Sequence, residues 1–112
     1  MKLSEKQRAF TRMIADLIWY AYDAGYELTF GDAYRDPRVH GELGKKKSYS
    51  SASSNHKIRL AVDLNLWVNG EYITTSEHKA WDDLHNYWES LGGAKRIKDD
   101  ANHFSLEHWG RR

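Results

Sequence analysis

Residues 1–112 fit one domain and leave no room for a second. The 17 basic and 16 acidic side chains nearly cancel, which excludes the broad basic surface that nucleic-acid binding requires. The chain contains no cysteine, so disulfides, thiol nucleophiles and cysteine-ligated zinc are excluded as well.

The first predicted element is an amphipathic helix from about residue 5 to residue 24. Ser4 and Gln7 fit a capping box at its start, and Gly25 suits the position just after its end. Its apolar side chains recur at spacings of three and four: Phe10, Met13, Ile14, Leu17, Ala21 and Ala24. Charged residues interrupt this segment, so it lacks the apolar core of a signal peptide. We therefore expect synthesis in the cytoplasm and no stable membrane insertion.

A strand and a long loop are predicted next. Tyr26–Phe30 is a short β-prone run that leads into a turn at Gly31-Asp32. Residues 36–55 carry the only proline and a serine-rich run, and we predict a loop of the kind that often binds ligands. Residues 58–68 alternate in character, which predicts a strand with one apolar face. That face consists of Leu60, Val62, Leu64 and Leu66.

The second half of the chain completes an α+β pattern. Asn69-Gly70 predicts a two-residue hairpin that returns through Glu71–Ile73. A second amphipathic helix is predicted to start near Thr74–Ser76 and to end at Gly92-Gly93. Its apolar positions are Trp81, Leu84, Trp88 and Leu91. The last predicted strand is His103–Glu107, so the predicted fold is a small antiparallel sheet flanked by helices.

Without cysteine, a metal site in this chain depends on histidine and carboxylate. His78 and His85 lie on the predicted second helix with no partner that completes a site, and we expect both at the surface. His56 stands where the serine-rich loop meets the long strand, and Asp63 follows on the polar face of that strand. A carboxylate among leucines needs a cation or hydrogen bonds to stay charged. Spacing alone leaves Asp63 equally suited to metal ligation and to a position in solvent or at a turn.

Asp100 stands three residues before His103, at the start of the predicted last strand. This spacing can place a carboxylate beside a metal that the histidine binds. Two histidine nitrogens, one aspartate oxygen and an open fourth position are typical of catalytic zinc, because structural zinc is usually closed by four protein ligands. A carboxylate near such a site can accept the proton of an attacking water molecule.

Three sequence elements, in this order, resemble the motifs of a zinc peptidase family. They are Tyr34-Arg35, then Ser54-Asn55-His56 with Ala61-Val62-Asp63-Leu64, then Asp100-Ala101-Asn102-His103-Phe104. The family contains D-alanyl-D-alanine carboxypeptidases and dipeptidases of the vancomycin-resistance type, and phage L-alanyl-D-glutamate endolysins. The resemblance implies a hedgehog-like D,D-peptidase fold and hydrolysis of an amide bond in bacterial peptidoglycan.

The resemblance also implies a role for each matching residue. It makes one zinc ion the cofactor, held by His56, Asp63 and His103. Asp100 matches the general base, which later hands its proton to the leaving amine. Arg35 matches the cation that stabilises the scissile carbonyl as it becomes an oxyanion. Ser54 matches a serine that lines the site and hydrogen-bonds the substrate or Asp63.

Two positions depart from the family pattern, and two more carboxylates stand close to the motifs. Arg59 occupies a position where the family often has glycine, which predicts a changed bend of the strand. Asp100 replaces the glutamate of many members and is typical of the endolysin branch. Asp99 is one position out of register and is expected in solvent. Glu107 would share the face of His103 on a strand and could orient a ligand.

These features favour a phage endolysin that cleaves between L-Ala and D-Glu of the stem peptide. We expect a monomer that acts on the periplasmic cell wall after release and contacts no nucleic acid. One alternative is a D-Ala-D-Ala carboxypeptidase of the same family. The other is a hedgehog-like domain that binds the wall without turnover. The predicted ligand set would also accept divalent ions other than zinc.

Overall fold

The computed structural model describes residues 2–31 and 58–108. Two helices lie in these residues, α1 (Leu3–Asp23) and α2 (Lys79–Ser90), and neither is long and apolar enough to span a membrane. The strands are β1 (Tyr26–Phe30), β2 (Ala61–Val68), β3 (Glu71–Tyr72) and β4 (His103–Ser105). This confirms the predicted mixture of helices with a small antiparallel sheet. The predicted loop over residues 36–55 lies outside the described residues.

Strand β2 is the centre of the sheet. It pairs antiparallel with β1, β3 and β4. The Gly31 N–H donates to Asp63 O (2.8 Å) at the β1 edge, whereas the Leu64 N–H donates to Asn102 O (2.9 Å). Since backbone groups of successive strand residues point to opposite edges, β4 lies on the edge away from β1. It shares that edge with β3, where Ile73 N–H donates to Leu66 O (2.9 Å).

The face of the sheet that packs on both helices is the apolar face predicted for β2. Leu60, Val62, Leu64 and Leu66 are all buried. Trp88 of α2 is fully buried and meets two rings edge-on, Phe10 of α1 at 5.7 Å and Phe104 of β4 at 5.8 Å between centroids. Its indole N–H also donates to Ser105 O at 2.9 Å. Such edge-to-face aromatic contacts combine a large buried area with a preferred geometry, so Trp88 joins α1, α2 and β4.

Helix α1 begins two residues before the predicted start. The Lys2 N–H donates to Glu5 Oε1 at 3.1 Å, so the residue three positions before Glu5 is the cap. The prediction of Ser4 as cap is therefore wrong, and the Gln7 amide donates instead to Ile58 O at 2.9 Å. At the other end, Gly25 follows the last helical residues with φ +87°, as predicted for a helix-ending glycine.

The connection between β2 and β3 is the predicted tight hairpin. Asn69 and Gly70 have φ values of 53° and 78°, and both central residues of a type I′ turn need a positive φ. Helix α2 begins at Lys79, later than predicted, because His78 is its cap: the His78 Nδ1 accepts from Ala80 N–H at 3.0 Å. The helix then ends before Gly92, as predicted.

Candidate metal centre

Asp63 of β2 and His103 of β4 are directly opposite each other in the antiparallel pair. The next pair along carries a backbone hydrogen bond, from Leu64 N–H to Asn102 O. Asp63 and His103 therefore form the alternate type of pair, in which opposed side chains come closest. They lie on the face of the sheet opposite the leucines, and Asp63 Oδ1 is 3.3 Å from His103 Nδ1.

This separation fits two ligands of one metal ion. Two atoms bound to a tetrahedral zinc ion at the usual bond lengths lie about 3.4 Å apart. By contrast, 3.3 Å is long for a hydrogen bond between nitrogen and oxygen, whose common length is about 2.9–3.0 Å. Side-chain exposure is only 15% for Asp63 and 8% for His103, so both groups are largely shielded from water. The donor types, spacing and burial all suit a cation between or beside them.

Asp100 lies in the turn that leads into β4. The Asp100 N–H donates to Ile97 O and the His103 N–H donates to Asp100 O, both at 3.1 Å. The second of these bonds links the backbone of Asp100 to that of His103. Asp100 itself is half-buried. The neighbouring Asp99 is exposed, as expected, and has a left-handed backbone with φ +61°.

Three predicted site residues, Arg35, Ser54 and His56, lie outside the described residues. Within residues 2–31 and 58–108, no group of three histidine or acidic side chains could hold a metal. Gly31 lies close to Asp63, since a Cβ at Gly31 would be only 3.3 Å from Asp63 Cβ. The Gln7 amide of α1 donates a hydrogen bond to Ile58 O at 2.9 Å.

Arg59, which stands where the resembled family often has glycine, has a left-handed backbone. Its φ is +58°, in the left-handed region that glycine enters without a steric cost. The predicted change in the bend of the strand at Arg59 stays a prediction. The chain enters β2 two residues later, at Ala61, and reaches Asp63 two residues after that.

The structure corrects the interpretation of His85 and changes that of Glu107. His85 is 2% exposed, so its prediction as a surface group is wrong. It shares the buried face of α2 with Trp81, Leu84 and Trp88, a helical spacing that was visible in the sequence. Strand β4 ends at Ser105, so strand alternation does not extend to Glu107, which is exposed.

A polar cleft of about 230 Å³ is lined by residues close in sequence to Asp63 and His103, although neither of these two lines it. Asn65, which follows Asp63 on the same face of β2, and Asn102, which precedes His103, both line it. The wall opposite comes from β3 and the segment after it, including Tyr72, Thr74 and Thr75. Amide and hydroxyl groups dominate this lining, which suits a ligand rich in hydrogen-bonding groups.

Neither the family models nor the curated proteins compared with this chain match it. The strand pairing of Asp63 with His103 is seen in the structure. The resemblance to the zinc peptidase family comes from the sequence motifs alone.

Proposed function

We propose that this protein is a zinc peptidase that hydrolyses an amide bond in the stem peptide of peptidoglycan. The observation that carries the proposal is the Asp63–His103 pair, with 3.3 Å between Oδ1 and Nδ1 and with Asp100 three residues before the histidine. Strand pairing brings these two residues together from positions 40 apart in the sequence. The ordered motifs predict them as ligands independently of that pairing.

In this proposal zinc is held by His56, Asp63 and His103. A bound zinc ion would polarise the scissile carbonyl and make a water molecule acidic enough to attack near neutral pH. Asp100 accepts the proton of that water and passes it to the leaving amine. Arg35 donates hydrogen bonds to the carbonyl oxygen as negative charge develops on it. Ser54 hydrogen-bonds the substrate.

Two further observations support the hedgehog-like family over a chance coincidence of motifs. Arg59 has the left-handed φ of +58° at the position where the family often has glycine. The polar cleft beside Asn65 and Asn102 offers hydrogen-bonding groups to a peptide that crosses the sheet near the pair. Aspartate at position 100 favours the endolysin branch, which cuts between L-Ala and D-Glu of the periplasmic wall.

The decisive experiment measures metal and turnover on the same preparation. We expect the purified protein to carry about one zinc per chain and to release new amino termini from purified sacculi. Chelation should abolish release, and added zinc should restore it. Undiminished hydrolysis by a metal-free preparation would contradict the proposal.

Mass spectrometry of the released peptides separates the alternatives. Cleavage between L-Ala and D-Glu identifies the endolysin activity, and loss of terminal D-Ala identifies a carboxypeptidase. A protein that sediments with sacculi, binds zinc and releases nothing would instead be a wall-binding domain.

A further inference from the structure

His85 is a buried histidine that the proposed mechanism does not use. Its side chain projects from α2 toward the sheet, and its Nε2 lies 2.5 Å from Ala101 O. A carbonyl oxygen can only accept, so Nε2 carries a proton and donates it to this bond. Burial lowers the pKa of His85, which keeps the ring neutral near pH 7 and leaves Nδ1 unprotonated.

The acceptor of this hydrogen bond, Ala101, lies next to the candidate site. It lies inside the turn between Asp100 and His103, the proposed base and a proposed ligand. On the far side of this turn, Asn102 O accepts from Leu64 N–H of β2 at 2.9 Å. The turn is therefore held by the sheet through Asn102 and by α2 through His85.

The His85 ring also holds the strand that follows. It stacks on the Phe104 ring with 4.3 Å between centroids and 9° between planes. Phe104 and His103 are consecutive residues of β4, so their side chains point to opposite faces of the sheet. Fixing the orientation of Phe104 in the core consequently fixes the direction in which His103 projects on the other face.

We propose that His85 is a positioning residue, which sets Asp100 and His103 relative to Asp63 through its bond to Ala101 and its stack on Phe104. The catalytic consequence of this role rests on the proposed function. His85 is neither a ligand nor a catalytic group, because it reaches the core side of the sheet whereas Asp63 and His103 lie on the other side.

Three variants separate the hydrogen bond, the stack and general destabilisation. His85→Phe keeps a flat ring for stacking and removes the donor. His85→Gln keeps a side-chain N–H at a similar reach and removes the ring. Tyr87→Leu is the matched control: it removes another stacked aromatic of α2, whose partner is Tyr20 of α1 at 4.2 Å.

We expect His85→Phe to retain zinc and to lower kcat on soluble stem peptides by roughly 10- to 100-fold, because small misplacements of catalytic groups have effects of this size. KM should change by less than about threefold. His85→Gln keeps the hydrogen bond and loses the stack, so it should also lower kcat, but less than His85→Phe does. Tyr87→Leu should leave kcat unchanged although it lowers the melting temperature. An unchanged kcat in both His85 variants, or a matching loss in Tyr87→Leu, would overturn the proposal.

Two readouts do not depend on catalysis, and the first of them needs only the wild-type protein. In the wild-type protein the ring nitrogen shifts should report the Nε2–H tautomer of His85, and an Nδ1–H tautomer would overturn the proposal. Amide exchange at His103 and Leu64 should be about tenfold faster in His85→Phe than in the wild type. If the wild-type protein hydrolyses nothing, the proposed function fails, while tautomer and exchange still decide the role of His85.

Discussion

At the scale of single residues, Asp63 and His103 share one side of the sheet only because β2 and β4 pair in one register. A shift of either strand by one residue would turn its side chain toward the core. Asp63 and His103 are thus positioned by the strand pairing. Burial of the β2 leucines and of Phe104 on the opposite face of the sheet fixes this register. Asp100 is positioned by a turn, so its placement depends on fewer contacts.

If Asp100 is the general base, its substitution should separate metal binding from turnover. Asp100→Ala should retain about one zinc per chain, because Asp100 is not among the proposed ligands. Hydrolysis of sacculi should fall by about 10²- to 10⁴-fold, the usual contribution of a general base. Zinc analysis and release of amino termini check this. If zinc is lost together with activity, Asp100 is a ligand; if Asp99→Asn is the inactive variant, the base is Asp99.

Substitution of a proposed zinc ligand should instead remove the metal and the activity together. His56→Ala, Asp63→Ala and His103→Ala should each lose bound zinc and hydrolysis together, because each removes one of only three protein ligands. His78→Asn is a suitable control, since asparagine can also cap α2 and His78 lies outside the proposed site. Metal content measured after dialysis is the test. A ligand variant that keeps its full zinc content would remove that residue from the set.

At the scale of elements, the pattern of apolar residues predicted the described helices and strands well, and their boundaries less well. Strand β1 agrees with the prediction over Tyr26–Phe30. Its start is well defined because Gly25 ends the preceding helix and the β-prone run begins directly after it. The helix starts were missed because caps compete locally: Glu5 reaches back to Lys2, and the His78 ring replaces a hydroxyl as the cap of α2.

Arg59 offers a test of the backbone entering β2. A left-handed conformation costs an ordinary residue roughly 1–2 kcal/mol relative to the right-handed one, and glycine avoids this cost. Arg59→Gly should therefore be more stable than Arg59→Ala by about 1 kcal/mol, although both lack the guanidinium. Urea unfolding at neutral pH measures the difference. Greater stability of the alanine variant would mean that this φ is not maintained in solution.

At the scale of the whole molecule, the sequence predicts the candidate site as a set of residues and not as an arrangement. Motif order proposes Asp63, Asp100 and His103, yet nothing in the sequence states that residues 40 positions apart pair across two strands. The surface prediction for His85 is wrong because the chemistry of histidine does not indicate whether the side chain is buried. Its spacing from Trp81 and Trp88 placed it on the apolar face of α2.

The burial of His85 predicts how stability responds to acid. Desolvation lowers its pKa below the ordinary 6.5, so the unfolded chain binds the proton more tightly than the folded one. Its contribution to stability is present above pH 6.5 and is lost as the pH falls through the lowered pKa. With chelator present throughout, unfolding free energy should fall more between about pH 7.5 and about pH 5 in the wild type than in His85→Phe. Equal losses would contradict this.

Tyr26 predicts the response to alkali, because it links β1 to α2. Its hydroxyl donates to Asp83 Oδ2 at 2.6 Å, and this hydrogen bond, with burial and the Asp83 charge, raises its pKa from 10.0 to about 12. The folded state therefore favours the neutral phenol, and the associated stability is complete below pH 10.0 and is lost as the pH rises toward about 12.

Tyr26→Phe should lower the unfolding free energy by about 1 kcal/mol at neutral pH, the typical net value of one hydrogen bond. The same variant should lose less stability than the wild type above pH 10.0, because it has no phenol to ionise at this position. Urea unfolding of both proteins at neutral and alkaline pH provides the comparison, with Tyr72→Phe, an exposed tyrosine on β3, as the control. If Tyr26→Phe lowers the unfolding free energy by the same amount when Asp83 is also replaced, the Tyr26 hydroxyl does not bond Asp83 in solution, and the link between β1 and α2 lies elsewhere.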